Sequence, residues 1–302
     1  MVPLLSQSAC GEDPVEKVTY SVRAKYDVPY TEARLPLQLA DLYAPVIPKG
    51  SPPTKFPGVI MIHGGAWIAG DKLNDAGHAR RLAARGYVVM TINYRLAPRD
   101  KYPAQVDDCR QALKWFHEHA DEWNVDVERL GVYGYSAGGH LALMLATCPS
   151  DGAPRLGACV AGGAPCDFSL LPEDSSILAP FLGGTRQQLP DVYREASPIE
   201  HVTPDDPPIF VFHGEDDQLV PIEYAERLKQ RIEAAQVTLQ YLTIPKKSHI
   251  MAFVDRSALD AAIDFFDVHL REPKSPDPAG APKPNAPAAN VPAATAPSTE
   301  RP

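Results

Sequence analysis

Residues 131–140 read GVYGYSAGGH, and the centre of that run is Gly134-Tyr135-Ser136-Ala137-Gly138. A serine between glycines two residues away on each side fits a sharp strand-to-helix turn. The serine backbone there is strained, and small neighbours avoid collision. A lone G-x-S-x-G also fits a small-residue packing turn. Context separates the two: RLGVYGY before Ser136 reads as a buried strand, and Ala137 to Thr147 reads as an apolar helix. A strand–serine–helix order holds the hydroxyl proud of a sheet and aims a helix N-terminus at it. Ser136 is therefore the candidate nucleophile.

The same alternation runs outward from this point. PGVIMIHGG (57–65), YVVMTINY (87–94), LGACVAGGAP (156–165), PPIFVFHG (207–214) and residues 237–244 read as strands. Residues 75–86, 103–119, 221–235 and 256–270 read as helices between or after them. Residues 16–27 and 35–43 alternate like an antiparallel hairpin at a sheet edge. This order predicts an α/β fold, with a mostly parallel central sheet and helices on both faces. The pattern weakens over about 168–206, which reads as a small lid insertion over the strand ends.

The chain has 302 residues and a formal charge of −9, which argues against a nucleic-acid partner. No apolar run approaches the roughly 18 residues of a membrane span. From Arg271 onward proline and alanine dominate, so residues 271–302 read as a disordered tail or a linker to another domain. Residues 16–270 form one domain. Residues 1–15 read as a flexible start, or as the stub of a signal peptide, with Cys10 before Gly11. The compartment stays open, as does the oligomeric state. The five cysteines (Cys10, Cys109, Cys148, Cys159, Cys166) show no disulfide framework or metal motif. They read as free thiols, with one bridge among the last four admitted. No cofactor or metal is implied.

In an open α/β sheet, ligands gather at the carboxyl ends of the strands. Four loops there carry polar residues: HGGAW (63–67), Ser136, the acidic loop 213–221 and SHI (248–250). A serine hydroxyl needs a base. His63 belongs to the glycine loop. His117 and His119 lie on a helix beside acids and read as solvated. His140 reads as packed against the sheet edge and His213 as structural. His78, His201 and His269 lack supporting context. His249, after the last strand, remains as the base. Glu215, Asp216 and Asp217 are each able to orient it. Backbone amides aimed at a developing oxyanion lower the barrier by about 3–4 kcal/mol each. Gly65 and Ala66 are the candidates, with Ala137 after the serine. Trp67, Tyr94 and Met251 are candidate substrate contacts by position; Asp71 and Leu182 fit the same description.

Seven blocks appear in order: HGGAWIAGDK (63–72), NYRLAP (93–98), YPAQVDDCRQALKWF (102–116), GYSAGGHLA (134–142), ASPIEHV (196–202), HGEDDQLVP (213–221) and SHIMAF (248–253). Over about residues 16–270 the chain resembles the α/β-hydrolase superfamily. It is similar to the carboxylesterases related to hormone-sensitive lipase and to bacterial feruloyl and acetyl esterases. The resemblance implies Ser136 as nucleophile, Asp217 as the acid and His249 as the base. It also implies an oxyanion hole from the HGG loop and the residue after the serine. Two departures stand out: Ala66 replaces the frequent third glycine, and Ile250-Met251 replaces the frequent Gly-Phe after the histidine. The expectation is a serine carboxylesterase acting on short-chain or small soluble esters, of acetylated-carbohydrate or feruloyl type. A formamidase or peptidase-like amide hydrolase of the same fold is one alternative. A non-catalytic binding protein is another.

Overall fold

A computed structural model describes residues 19–33, 35 and 37–271. Residues 1–15 and 272–302, with the segments expected there, lie outside the described residues. Eight strands form one sheet in the order β1-β2-β4-β3-β5-β6-β7-β8. They are β1 (Val22–Pro29), β2 (Leu39–Pro45), β3 (Phe56–Ile62), β4 (Val88–Ile92), β5 (Val125–Tyr135), β6 (Ala158–Gly162), β7 (Ile209–Gly214) and β8 (Leu239–Ile244). β1 and β2 make the antiparallel edge, and β2 runs antiparallel to β4. The other pairings are parallel. The chain has the α/β-hydrolase fold.

Nine helices connect or follow the strands among the described residues: α1 (Ala76–Ala84), α2 (Ala104–Glu118), α3 (Ala120–Trp123), α4 (Ala137–Thr147), α5 (Ala179–Leu182), α6 (Pro190–Glu195), α7 (Glu223–Ala234), α8 (His249–Phe253) and α9 (Arg256–Phe266). α2 buries Val106, Cys109, Leu113 and Phe116, the one-face spacing of an amphipathic helix. α4 is buried on every side, as its largely apolar sequence requires. The sheet separates two cores. One holds the apolar faces of α2, α4 and α7, and the other those of α1 and α9. Cys109, Cys148, Cys159 and Cys166 are free thiols.

Several boundaries differ from the sequence expectation, and the edge strands run over Val22–Pro29 and Leu39–Pro45 where 16–27 and 35–43 were expected. β5 begins at Val125, because Val125 and Asp126 pair with Phe56 and Pro57 before a register break. Residues 249–253 form the short helix α8 where a loop was expected; five residues are too few for a period to show. Arg271 ends the last helical turn, with Nε 2.9 Å from Asp267 Oδ1, so it is not the first residue of a tail.

Parallel pairing brings the carboxyl ends of β3, β5, β6, β7 and β8 to one edge. The loops after them, in that spatial order, carry HGGAW, Ser136, Gly163, Asp217 and His249. The segment between β6 and β7 contains α5 and α6.

Candidate active site

Ser136 sits between the end of β5 and the start of α4, with φ 57° and ψ −124°. Non-glycine residues reach this region at a cost of about 1–3 kcal/mol. The glycines on either side are dictated by contact. A Cβ on Gly134 would lie 2.1 Å from the Gly138 carbonyl oxygen, and one on Gly138 would lie 1.9 Å from that of Ile62. The Ser136 amide donates to the Gly162 carbonyl at 2.8 Å, fixing the elbow to β6. Ala137 heads α4, where the first amides have no intrahelical acceptor.

The HGGAW loop lies against this elbow, because a Cβ on Gly64 would approach Ser136 Cβ to 3.2 Å. Gly65, Ala66 and Trp67 all have positive φ, at 117°, 51° and 61°. The turn closes through the Ile68 and Ala69 amides, which donate to the Gly65 carbonyl at 3.1 and 3.0 Å. Ala66 and Ala137 line one cavity with Ser136. Amides of a left-handed turn and of a helix N-terminus are the groups that stabilise an oxyanion.

Tyr94 does not line that cavity. It is fully buried, donates its hydroxyl to the His63 carbonyl at 2.9 Å and stacks on the His63 ring at 4.3 Å. Its place is behind the glycine loop, which it braces. A buried aromatic beside a site and one within it look alike in sequence. Burial lowers the His63 pKa, and the His63 Nδ1 faces the Gly64 carbonyl at 2.7 Å.

Asp217 and His249 meet directly: His249 Nδ1 lies 2.6 Å from Asp217 Oδ2. Both are buried, whereas Asp216 is exposed. Asp217 Oδ1 accepts from the Leu219 and Val220 amides at 3.0 and 2.8 Å. Burial on its own would raise the Asp217 pKa. Hydrogen bonds from His213 and His249, with the Val220 amide, overturn that and hold the carboxyl well below its usual range. The pairing places the His249 proton on Nδ1 and leaves Nε2 as the basic nitrogen.

Tyr135 links this pair to the elbow. Its hydroxyl donates to the His249 carbonyl at 2.6 Å, and the two rings lie 5.1 Å apart. A Cβ on Gly163 would stand 3.2 Å from His249 Cε1. His249 therefore lies over the end of β6, beside the residue to which the Ser136 amide is fastened. Tyr135 is the free position of G-x-S-x-G, so no motif points to it.

The cavity beside Ser136 has a volume of about 170 Å³. Apart from Ser136 its walls are almost wholly apolar, with Trp67, Phe168, Leu178, Phe181, Val220 and Tyr224 among them. Trp67 stacks face to face on Phe181 at 4.2 Å. Its Nε1 donates to His140 Nδ1 at 3.2 Å, and His140 Nε2 reaches the Ala196 carbonyl at 2.8 Å. His140 is thus buried beneath Trp67 and ties it to the segment between β6 and β7. The pocket-lining residues of that segment, such as Ile177 and Phe181, carry no motif. Met251 is half exposed and belongs to a separate, shallow depression with His249, Leu219, Gln218 and Ser248. Leu219 borders both spaces. Among the described residues no three His, Cys, Asp or Glu side chains converge as a metal site would require.

The profile of the BD-FAE family matches residues 40–232. The chain belongs to the BD-FAE family. It is 31% identical to Esterase LipC of Mycobacterium tuberculosis, over 73% of this chain and 58% of LipC. It is 30% identical to the acetyl esterase of Salmonella paratyphi B, over 74% of this chain and 75% of the relative. A solved structure of a truncated carbohydrate esterase from gut microbiota superposes with a TM-score of 0.76 and 25% identity, covering 86% of this chain and all of that one. The chain spans between 49% and 58% of the length of three M. tuberculosis relatives, LipC included. The BD-FAE match covers β2 to most of α7, and so includes Ser136 and Asp217 but ends before His249.

Proposed function

We propose that this chain is a serine carboxylesterase. The observation that carries the reading is the buried 2.6 Å pair of Asp217 and His249, positioned beside a strained serine elbow. Ser136 Oγ attacks the ester carbonyl carbon while His249 Nε2 takes its proton, and Asp217 stabilises the resulting imidazolium. The amides of Gly65, Ala66 and Ala137 hold the oxyanion. His249 then gives the proton to the departing alcohol oxygen. Water, activated by the same imidazole, cleaves the acyl-enzyme and releases the acid.

The two spaces around the site suggest the substrate class. Ala66 and Ala137 line the apolar cavity, and His249 borders the depression containing Gln218 and Ser248. An ester bond across them has its acyl part in the cavity and its alcohol part on the His249 side. About 170 Å³ suits one benzene-sized group, so acyl chains from acetyl to about hexanoyl fit best. The polar groups on the other side favour a hydroxyl-rich alcohol, such as a sugar. The names of the Salmonella relative and the gut-microbiota structure support this reading.

A fluorophosphonate probe and a series of p-nitrophenyl esters from acetate to dodecanoate test it. The expected result is labelling of Ser136, loss of labelling and turnover in Ser136→Ala, and falling kcat/KM beyond about six carbons. Normal turnover by Ser136→Ala would overturn the assignment of the nucleophile.

A further inference from the structure

We propose that His213 is a positioning residue for this site, acting through Asp217. The inference rests on the serine-hydrolase reading above and adds a second histidine to it. His213 is the penultimate residue of β7 and its side chain is fully buried. Its Nε2 lies 2.8 Å from the Val220 carbonyl oxygen and 3.3 Å from Asp217 Oδ2. Both neighbours are acceptors, so Nε2 carries a proton and shares it between them. The other nitrogen, Nδ1, is buried without a hydrogen-bond partner among the described residues.

This arrangement closes a ring. His213 stands at one end of the loop and Val220 at the other, with Asp217 between them. The Val220 amide binds Asp217 Oδ1, and the Val220 carbonyl binds His213. The Oδ2 atom of Asp217 then faces two imidazoles at once, that of His249 at 2.6 Å and that of His213 at 3.3 Å. His213 holds the carboxylate in line with His249 Nδ1. It also takes a share of the negative charge that would otherwise act on His249 alone.

Other titratable groups around the pair are Tyr135 on β5, whose hydroxyl binds the His249 carbonyl, and Asp216 and Lys246, which border the exposed side. Glu215 is engaged by the Lys246 amide and Lys247 by Asp255. None of these is altered by substitution at position 213.

The test compares His213→Phe, which keeps a ring but no donor, with His213→Gln, which keeps a donor. Steady-state kinetics on p-nitrophenyl butyrate are measured from pH 5 to 9. His213→Phe should lose on the order of tenfold in kcat, the scale of losing one hydrogen bond to a charged group, with KM within about twofold. The acid limb of its kcat/KM profile should move to higher pH, because Asp217 then acts on His249 alone. His213→Gln should restore both. If His213→Phe does not fold, His213→Gln carries the test: a displaced acid limb there overturns the proposal. Asp217→Asn separates the two levels of inference. If it costs turnover while His213→Phe matches the parent in kcat and acid limb, only the role of His213 falls. If Asp217→Asn is fully active, the reading of the whole site falls.

Discussion

Asp217 is the residue on which the site's electrostatics converge, and it sets a dependence of stability on pH. Its folded-state pKa is depressed, so its ionised form is bound more tightly in the folded chain than in the unfolded one. For such a group the stabilisation is fully present above the unfolded value, about 3.9, and is lost as pH falls through the folded value. The gap in unfolding free energy between the parent and Asp217→Asn should therefore be open at about pH 5. It should narrow below about pH 4, as followed by denaturant titration. A gap that widens as pH falls below about 4 would show that the carboxylate is not stabilised as described. Turnover by Asp217→Asn should fall by about 10⁴-fold, through loss of the productive His249 tautomer. At this scale legibility was uneven. The elbow at Ser136 could be read locally, because its geometry constrains residues only two positions away. Asp216 and Asp217 are adjacent and chemically identical, so loop geometry alone distinguishes the exposed one from the buried one. Tyr135 gains its contact with His249 only when β5 and α8 come together, so no spacing in the chain reveals it, and the contact of His213 with Asp217, four residues on, depends on the path of the loop between them.

At the scale of elements, the alternation of strands and helices was legible because the buried strands are short, mainly apolar runs set off by glycine or proline breaks. The segment between β6 and β7 was not. α5 has four residues and α6 has six, too short for a period to emerge; α5 supplies Pro180 and Phe181 to the cavity wall, and α6 backs that wall through Tyr193 against Phe168. Phe181 of α5 is the clearest case: it is buried against Trp67, with His140 and Phe168 nearby. Phe181→Ala removes one face of that stack and lengthens the cavity. It should shift preference toward longer acyl chains, raising the octanoate-to-butyrate ratio of kcat/KM several-fold. The same change should cost about 3–5 kcal/mol of stability, as for other buried phenylalanines. An unchanged chain-length profile in the folded variant would place the acyl group elsewhere.

At the scale of the whole molecule, one buried lysine joins the sheet's antiparallel edge to the loop that carries the candidate oxyanion amides. Lys72 lies five residues after Trp67, and its Nζ reaches Asp27 Oδ1 of β1 at 2.9 Å and Asp41 Oδ1 of β2 at 3.0 Å. Its amide donates to Asn93 Oδ1 at 2.6 Å, just past β4, and Asn93 in turn binds Asp71. Three strands and the glycine loop are thus fastened at one point. Asp41 is fully buried, its Oδ1 accepts from the Asp27 amide at 2.9 Å, and its Oδ2 has no hydrogen-bond partner among the described residues, so Lys72 supplies the positive charge that balances it. Removing only the cation leaves a buried carboxylate unbalanced, which costs about 3–5 kcal/mol in comparable pairs. Lys72→Met should lower stability by that amount in denaturant titration at pH 7. Adding Asp41→Asn should recover much of the loss, because the stranded charge disappears with its partner. The recovery is what distinguishes an electrostatic joint from packing: if the double variant is no more stable than Lys72→Met alone, the lysine's aliphatic stem, and not its charge, holds the edge hairpin to the site.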